Sequence, residues 1–588
     1  MALSKDEYVK LHKRMIEQDA PRDRLFDKVQ RVHHLDWELP PGMREEMRIK
    51  KVVATDPYDS IEASKRVFAS LPPKIKILPL RADDATARLT NERERNLRWQ
   101  LMSANRLRSE TVENEVMESS LLYKSIAAMP IHIGWQIKAN KKKGLSTTAL
   151  ERAQKISNFA ISTHSPRDVH VRRSHYGVQG VLLCQERTPF NLIDEWGGAV
   201  EKALEKLDEE NKNILYFDYW DDEMRCVYFK NELEADPTWI MMGKHDLPFM
   251  PWVAILGESS MESDPAHKFK PMLYPVIKTD LNDNLNIANT LFLNDVIELG
   301  SAPKVFESGD NPEAVEVDYT DPAAIPKLAP QNMLHALTID GINEGVAALI
   351  QMLSQQMEFS TVSKSMRGGM LPSGMSFSAY NLNMQVAENQ LRPYKTLAER
   401  GLAEIFTKML LWTNHTGDDL YGFETEGVRG IPAGKELSIK PDEIDTDNIY
   451  IQVTMTPTTP TDEMRKANVG SLLHQLGASK ETILEEAGYE DPQREMEKRW
   501  MEDQDQKADD LEFLMAQTEI QMGAAARQQQ MQQEAQMAQQ RQLQGPVPGG
   551  QGFAPNMQGT PPVQAAPEGA ATREGVEGTP RYEQEEEL

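Results

Sequence analysis

The chain has 588 residues, of which 40% are hydrophobic and 27% charged, the balance of a soluble globular protein. That length exceeds one hydrophobic core and points to roughly two to four packed regions. Its net charge of −26 (65 Lys and Arg against 91 Asp and Glu) argues against a broad basic surface that grips nucleic acid. It leaves room for a protein that encloses DNA and lets it slide, because an acidic wall with few basic points avoids the counterion release that holds phosphates in place. Acidity that only maintains solubility looks the same from charge alone. No run approaches the roughly 18 apolar residues of a membrane span, and no signal-peptide core opens the chain, so folding in a cytoplasm without a membrane is the expectation.

In chain order, residues 1–55 are charged and mixed, with a helical patch around Lys5–Glu17 and a break at Pro40-Pro41. Tyr58–Ala69 has helical periodicity and ends before Pro72-Pro73, after which Ile75-Lys76-Ile77-Leu78 alternates as a strand does. A long charged helix is predicted over Asn91–Ala128, then a strand over Ile131–Ile137 and a basic turn at Lys141-Lys142-Lys143-Gly144. His132, inside an apolar run, reads as a hydrogen-bonded core histidine. Residues 168–256 read as mainly β. Ile214–Trp220 and Met224–Phe229 form a hairpin about Asp221-Asp222-Glu223, with a short helix near Asn191–Gly197. Cys184 and Cys226 lie in these apolar strands, away from any CxxC or Cys/His cluster, and read as reduced, buried and not zinc ligands.

Pro275–Leu299 carries an apolar spine, Ile277-Leu281-Leu285-Ala288-Phe292-Val296, at helical spacing. A second such spine, Ile339-Ile342-Val346-Leu349-Leu353-Met357, follows. Between them Gly300–Leu337 is proline-rich and acidic, with short strands at Lys304–Glu307 and Ala314–Tyr319. Two long helices leaving one body with a small β module at the far end make a stalk with a tip. Ser363–Gly374 then holds three glycines and a proline, cannot continue a helix, and has Lys364 and Arg367 as its only charges. From Tyr380 to Met409 a longer helical pattern runs through Pro393, where a kink is expected. Ile449–Met455 is a strand, and residues 462–507 are helical in short pieces. Leu511–Gln544 is rich in Gln, Met and Ala with little apolar periodicity, so both a helix held by neighbouring copies and a loose polar tail remain open. Beyond Gly545 the composition is that of a disordered tail.

The search for chemistry finds no assembled constellation. Gly369–Ser376 has both glycines and the serine of a phosphate loop, but Met375 stands where the lysine belongs and no strand precedes it. The clusters Asp218-Asp221-Asp222-Glu223 and Asp442-Glu443-Asp445-Asp447 have no nearby lysine or histidine in a catalytic pattern, and no metal or cofactor site is assigned.

The order of parts resembles the portal proteins, or head-to-tail connectors, of tailed bacteriophages. The residues carrying the likeness are Tyr219-Trp220, Leu247-Pro248-Phe249-Met250-Pro251-Trp252, the loop with Ser376-Phe377-Ser378-Ala379, and Gly477–Thr482 followed by Gly488–Pro492. The resemblance covers residues 55–510 or so and implies an α+β, mainly helical portal fold. Its parts are an N-terminal arm (1–55), a mixed wing (56–272) and a first stem helix (273–300). A clip (301–337), a second stem helix (338–359) and a tunnel loop (360–376) follow. The long helix with wing strands (377–460), a helical crown (461–544) and a tail (545–588) complete it. It further implies a non-enzymatic ring, twelve-fold in assembled members, at one capsid vertex of a virion put together in the host cytoplasm. Double-stranded DNA passes through such a ring without sequence reading. Terminase docks at the clip and a tail adaptor later, while major capsid or scaffold protein surrounds it. Lys364, Arg367, Gly368, Gly369 and Gly374 would then form the loop facing DNA. Lys304, Glu307, Asp310, Glu313, Glu316 and Asp318 would form the docking clip. The competing classes are a metal-dependent nuclease or motor subunit using the acidic clusters, and a capsid or tail shell protein, which the paired long helices disfavour.

Overall fold

The computed structural model describes residues 3–40, 50–69, 72–77, 84–143, 147–197, 200–201, 204, 214–231, 235–258, 261, 265–300, 304–307, 333–336, 344–362, 377–423, 434, 436–444, 449–455, 469, 472–477, 479–486 and 492–543. It is an α+β protein, helix and strand mixed throughout. Contact density divides it into two units, residues 1–503 and 504–588.

Helix α1 (Lys5–His33) begins with a capping box: Glu7 N donates to Ser4 Oγ, and Ser4 N donates to Glu7 Oε2 at 2.7 Å. It runs well past the expected patch, through Pro21, because two apolar groups in succession find partners. Tyr8 and Met15 pack on one sheet face, and Leu25, Phe26 and Val29 join the main core. That sheet is a five-stranded antiparallel meander, β4 (Val169–Ser174), β5 (Gly177–Arg187), β6 (Ile214–Asp221), β7 (Met224–Lys230) and β8 (Thr238–Lys244), in that spatial order. The two-residue period of its strands separates two faces. Val181, Leu183, Tyr216, Trp220, Val227 and Phe229 enter the main core, while Leu182, Phe217, Tyr219, Cys226 and Tyr228 meet α1. The expected hairpin is present, and Asp221 Oδ1 holds its turn by accepting from Glu223 N at 3.0 Å and Met224 N at 2.7 Å. Both cysteines are free thiols, pushed up to about 12 by burial.

Helices α2 (Asp56–Ala69), α3 (Asp84–Asn105) and α4 (Val112–Tyr123) precede a central three-stranded sheet. The single helix expected over 91–128 is therefore two, divided where Thr111 Oγ1 caps α4 by accepting from Asn114 N, and stopped by Lys124 in a left-handed conformation (φ 50°). Strand β2 (Ser125–His132) lies between β3 (Phe159–His164) and β9 (Val253–Leu256), antiparallel to both. The strand expected over 131–137 ends at His132. His132 Nδ1 accepts from Trp135 N at 3.2 Å and starts α5 (Ile133–Lys143), which carries Lys141-Lys142-Lys143 on its last turn. His132 is thus a hydrogen-bonded core histidine, and burial lowers it to about 4.

Short helices α6 (Thr148–Gln154), α7 (Pro189–Trp196), α8 (Pro265–Lys268) and α9 (Tyr274–Lys278) decorate this body. The stalk helices are α10 (Leu281–Gly300) and α11 (Glu344–Ser360), and the longest helix of the body is α12 (Phe377–Thr416). α12 continues through Pro393 as one helix and lies across β2. Trp412 Nε1 donates to Pro130 O at 2.8 Å, and a side chain at Gly401 would meet Ile126 Cδ1 at 2.5 Å. Strand β1 (Lys74–Ile77) pairs with β14 (Ile451–Thr454), and β12 (Leu420–Phe423) with β13 (Glu436–Ile439). Asn96 and Gln100 of α3 bind the carbonyls of Leu420, Leu437 and Tyr421, fixing the second ladder. Helix α13 (Lys480–Glu486) follows, and α14 (Pro492–Leu543) is one 52-residue helix. Its Gln/Met/Ala stretch is helical, with Phe513, Ile520, Met522, Met531 and Met537 exposed.

His12, buried between α1 and the sheet, bonds Tyr228 Oη at 2.9 Å through Nδ1 and stays neutral, lowered to about 3 by burial and then by Arg172 and Lys230. A histidine depressed in the folded state contributes its stability fully above the unfolded value near ~6.5 and loses it as pH falls towards the folded value. Urea unfolding from about pH 7.5 to about pH 5 is therefore expected to show a falling midpoint. His12→Gln should flatten the acid limb by about 1.4 kcal/mol per pH unit; an unchanged slope would place the titration elsewhere.

Candidate functional site

Asp280 takes a left-handed conformation (φ 50°) between α9 and α10, so the helix expected from 275 to 299 is broken at its first turn. Thr279 N closes on Pro275 O, and Asn284 N opens the new helix on Asp280 O. From there α10, about 30 Å long at 1.5 Å per residue, leaves the body and α11 returns antiparallel to it. Leu281, Leu285 and Ala288 at the start of α10 pack on Leu353 and Met357 at the end of α11, together with Val276 and Ala54. At the far end β10 (Lys304–Glu307) pairs antiparallel with β11 (Met333–Ala336), Lys304 opposite Ala336 and Glu307 opposite Met333. The chain returns to the main core at Val362, after Thr361 Oγ1 has bonded back to Met357 O at 2.7 Å.

Leu349, Met352 and Phe359 on α11 are exposed, Phe359 at 82%, and so are Leu291, Val296 and Ile297, which lie about 120° apart around α10. Leu349, Met352 and Phe359 are spaced to share one helix face, displaced about 100° from the buried Ile350-Leu353-Met357 face. Singly exposed apolar residues are ordinary, but a stripe along one helix face marks a surface suited to cover by another protein surface.

The face of α10 that carries residues 286, 290 and 294 bears a feature that periodicity of apolar residues does not reveal. An extended strap, Lys50–Thr55, runs antiparallel along the helix and is held through its backbone. Ala54 N donates to Asn286 Oδ1 at 2.7 Å, Val52 N to Thr290 Oγ1 at 3.1 Å, and Lys50 N to Asn294 Oδ1 at 3.1 Å. Four helical residues rise about 6.0 Å and two extended residues about 6.6 Å, so every fourth side chain meets every second amide. The signal for this ladder is present in the sequence as polar residues at positions 286, 290 and 294 within an apolar helix.

Of the residues expected to contact DNA or a motor, Lys304 and Glu307 form the two ends of β10. Asp310, Glu313, Glu316, Asp318, Lys364, Arg367, Gly368, Gly369 and Gly374 lie outside the described residues, as do Ile339 and Ile342. Ser360 of α11 and Phe377 of α12 bracket the loop. Several described members of the acidic clusters have other work in the fold, while Asp445 and Asp447 lie outside the described residues. Asp218 is buried and doubly bonded to Arg225, at 3.2 Å to Nε and 2.8 Å to Nη2, with the guanidinium 4.4 Å from the Trp220 ring. Asp221 holds the hairpin turn, Glu223 pairs with Lys244, and Glu443 with Arg93. Among the described residues no three His, Cys, Asp or Glu side chains gather as a metal site, and no helix is long and apolar enough to cross a membrane. No family model matches the chain, and the curated proteins contain no match to it.

Replacing Asn286, fully buried, with alanine strands the Ala54 amide and should cost about 1–3 kcal/mol in urea unfolding. Asn294→Ala, at the exposed end of the strap, should cost under about 1 kcal/mol. Equal losses at both positions would mean that the strap is not held rung by rung.

Proposed function

We propose that the chain is a portal protein of a tailed bacteriophage, a non-enzymatic part that forms a closed ring at one capsid vertex. DNA enters and leaves through its axis, and terminase and then tail or adaptor proteins dock at the tip of the stalk. The observation that carries the reading is the antiparallel α10–α11 hairpin. It leaves a mixed body, ends in a two-stranded ladder and bears an uncovered apolar stripe on α11. A subunit that buries such a stripe head-to-tail against its neighbour closes into a ring when the rotation per step divides a full turn. Paired helices repeated about the axis then wall a channel. The long α14, with apolar side chains exposed along its length, fits a helical assembly of neighbouring copies. Net acidity suits a channel in which duplex moves, with Lys364 and Arg367 giving brief phosphate contacts. The nuclease reading loses support because Asp218 is neutralised by a buried arginine and Asp221 is spent on a turn.

Negative-stain images of the purified full chain should show rings with a central hole; a chain that stays single at every concentration and salt would sink the proposal. Leu349→Glu with Met352→Glu should shift such rings to smaller species in light scattering. The double change Lys364→Glu with Arg367→Glu should leave rings intact and reduce packaged or retained DNA, and normal packaging by that variant would remove the loop from the mechanism.

A further inference from the structure

The Lys141-Lys142-Lys143 run has no part in the function proposed above, and the fold gathers further cations beside it. Residues 133–158 hold six lysines and arginines against one carboxylate, in a chain whose net charge is −26. Helices α5 and α6 fold back on one another. A side chain at Gly134, on the first turn of α5, would meet Gln154 Nε2 at 3.2 Å, and Lys141 Nζ near its end bonds Glu151 Oε1 at 3.0 Å. Ile133, Ile137 and Asn140 are buried, so Lys138, Lys141 and Lys142 share the exposed arc of α5, within about 100° of one another. Arg152 and Lys155, at the end of α6, are exposed as well. Bonds from Lys141 and Thr147, and then the charges of Lys141 and Lys155, hold the Glu151 carboxyl below its usual range, so cations from both helices converge on it.

Little on this face opposes them. Lys138 pairs with Asp418 at 3.3 Å, and Asp419 beside it accepts from the Tyr421 hydroxyl. Lys142, Arg152 and Lys155 form no ion pair with a described residue. The Lys138–Asp418 and Lys141–Glu151 pairs are solvent-exposed, and such pairs are weak and exchange readily for another anion. The one aromatic residue of the two helices, Trp135, packs on Trp412 with ring centroids 4.9 Å apart.

We propose that the exposed face of the α5–α6 hairpin is a contact surface for the phosphate backbone of duplex nucleic acid, separate from the glycine-rich loop. Lysines act there as flexible point charges that follow phosphates without reading bases. A duplex suits the face better than a single strand, because its charge is denser and the hairpin offers no free ring on which unpaired bases could stack. The acidity of the rest of the chain does not forbid the contact, since charges beyond the Debye length, about 10 Å at 0.1 M salt, are largely screened. The surface does not rest on the ring reading, because all its cations belong to one chain.

The test uses the full-length protein carrying Lys364→Glu and Arg367→Glu, so that the cations of the loop are removed, and a short fluorescein-labelled DNA duplex followed by anisotropy. The duplex should saturate with a dissociation constant of about 100 μM or tighter at about 50 mM salt. The logarithm of the binding constant should fall against that of salt with a slope of about −4.5, as for five phosphate contacts. Adding Lys142→Glu, Arg152→Glu and Lys155→Glu should weaken binding by about tenfold or more and bring the slope to about −1.8, that of the two lysines left. These side chains are exposed, so the urea midpoint should not move. Lack of saturation by the loop variant, or an unchanged slope once the three cations are reversed, would overturn the proposal. So would a single strand bound as tightly as the duplex, or poly-glutamate competing as well as DNA at equal charge, which would make the partner an acidic polypeptide. Saturation and competition are read with the hairpin unaltered, so they decide even if the triple change misfolds. Whether rings form in negative stain bears on the portal reading alone.

Discussion

The left-handed turn at Asp280 sets the direction in which the helical hairpin leaves the body. Without it α9 would run straight into α10, and the start of α10 could not lay Leu281 and Leu285 against Met357 while offering Asn286 to the strap. Aspartate is among the few residues that adopt this conformation without large strain, since its short polar side chain tolerates the approach of the backbone. One residue thereby couples the body, the strap and the stalk.

Two kinds of contact hold the stalk, and they do different things. The apolar contact between α10 and α11 supplies association without fixing register closely, since leucine and methionine pack at several offsets. The polar ladder supplies register, because each asparagine or threonine has one amide to satisfy and a mismatch would leave buried donors unpaired. The five-stranded sheet follows the same division: alternation gives two apolar faces, and the buried Asp218–Arg225 pair fixes one arrangement between β6 and β7. Such a pair costs desolvation, which makes it a device of specificity more than of strength.

Much of the body was legible from periodicity. The β6–β7 hairpin, the core role of His132, the free cysteines and the two stalk helices each follow from apolar spacing, turn residues or local composition; of the distal ladder only Lys304–Glu307 was expected, its partner Met333–Ala336 was not, and the strand expected over Ala314–Tyr319 lies outside the described residues. Helix boundaries were less so. The 91–128 pattern reads as one helix because apolar spacing survives the break at residues 106–111, where Thr111 restarts the helix with a side-chain cap. The 131–137 run reads as a strand because its branched residues alternate, yet the His132 ring captures the Trp135 amide and turns the chain. The loop expected to face DNA and most of the tip expected to dock a motor lie outside the described residues.

By itself the sequence determined the α+β character, the amphipathic faces and the acidic balance, since these depend on residue type and short-range spacing. Only the tertiary structure decided that Lys50–Thr55 lies on α10 and that α1 closes the back of the sheet. Those contacts join residues more than two hundred positions apart, as in the bond from Val52 to Thr290. Pairings at that separation depend on how whole elements are placed, which no local pattern of side chains encodes.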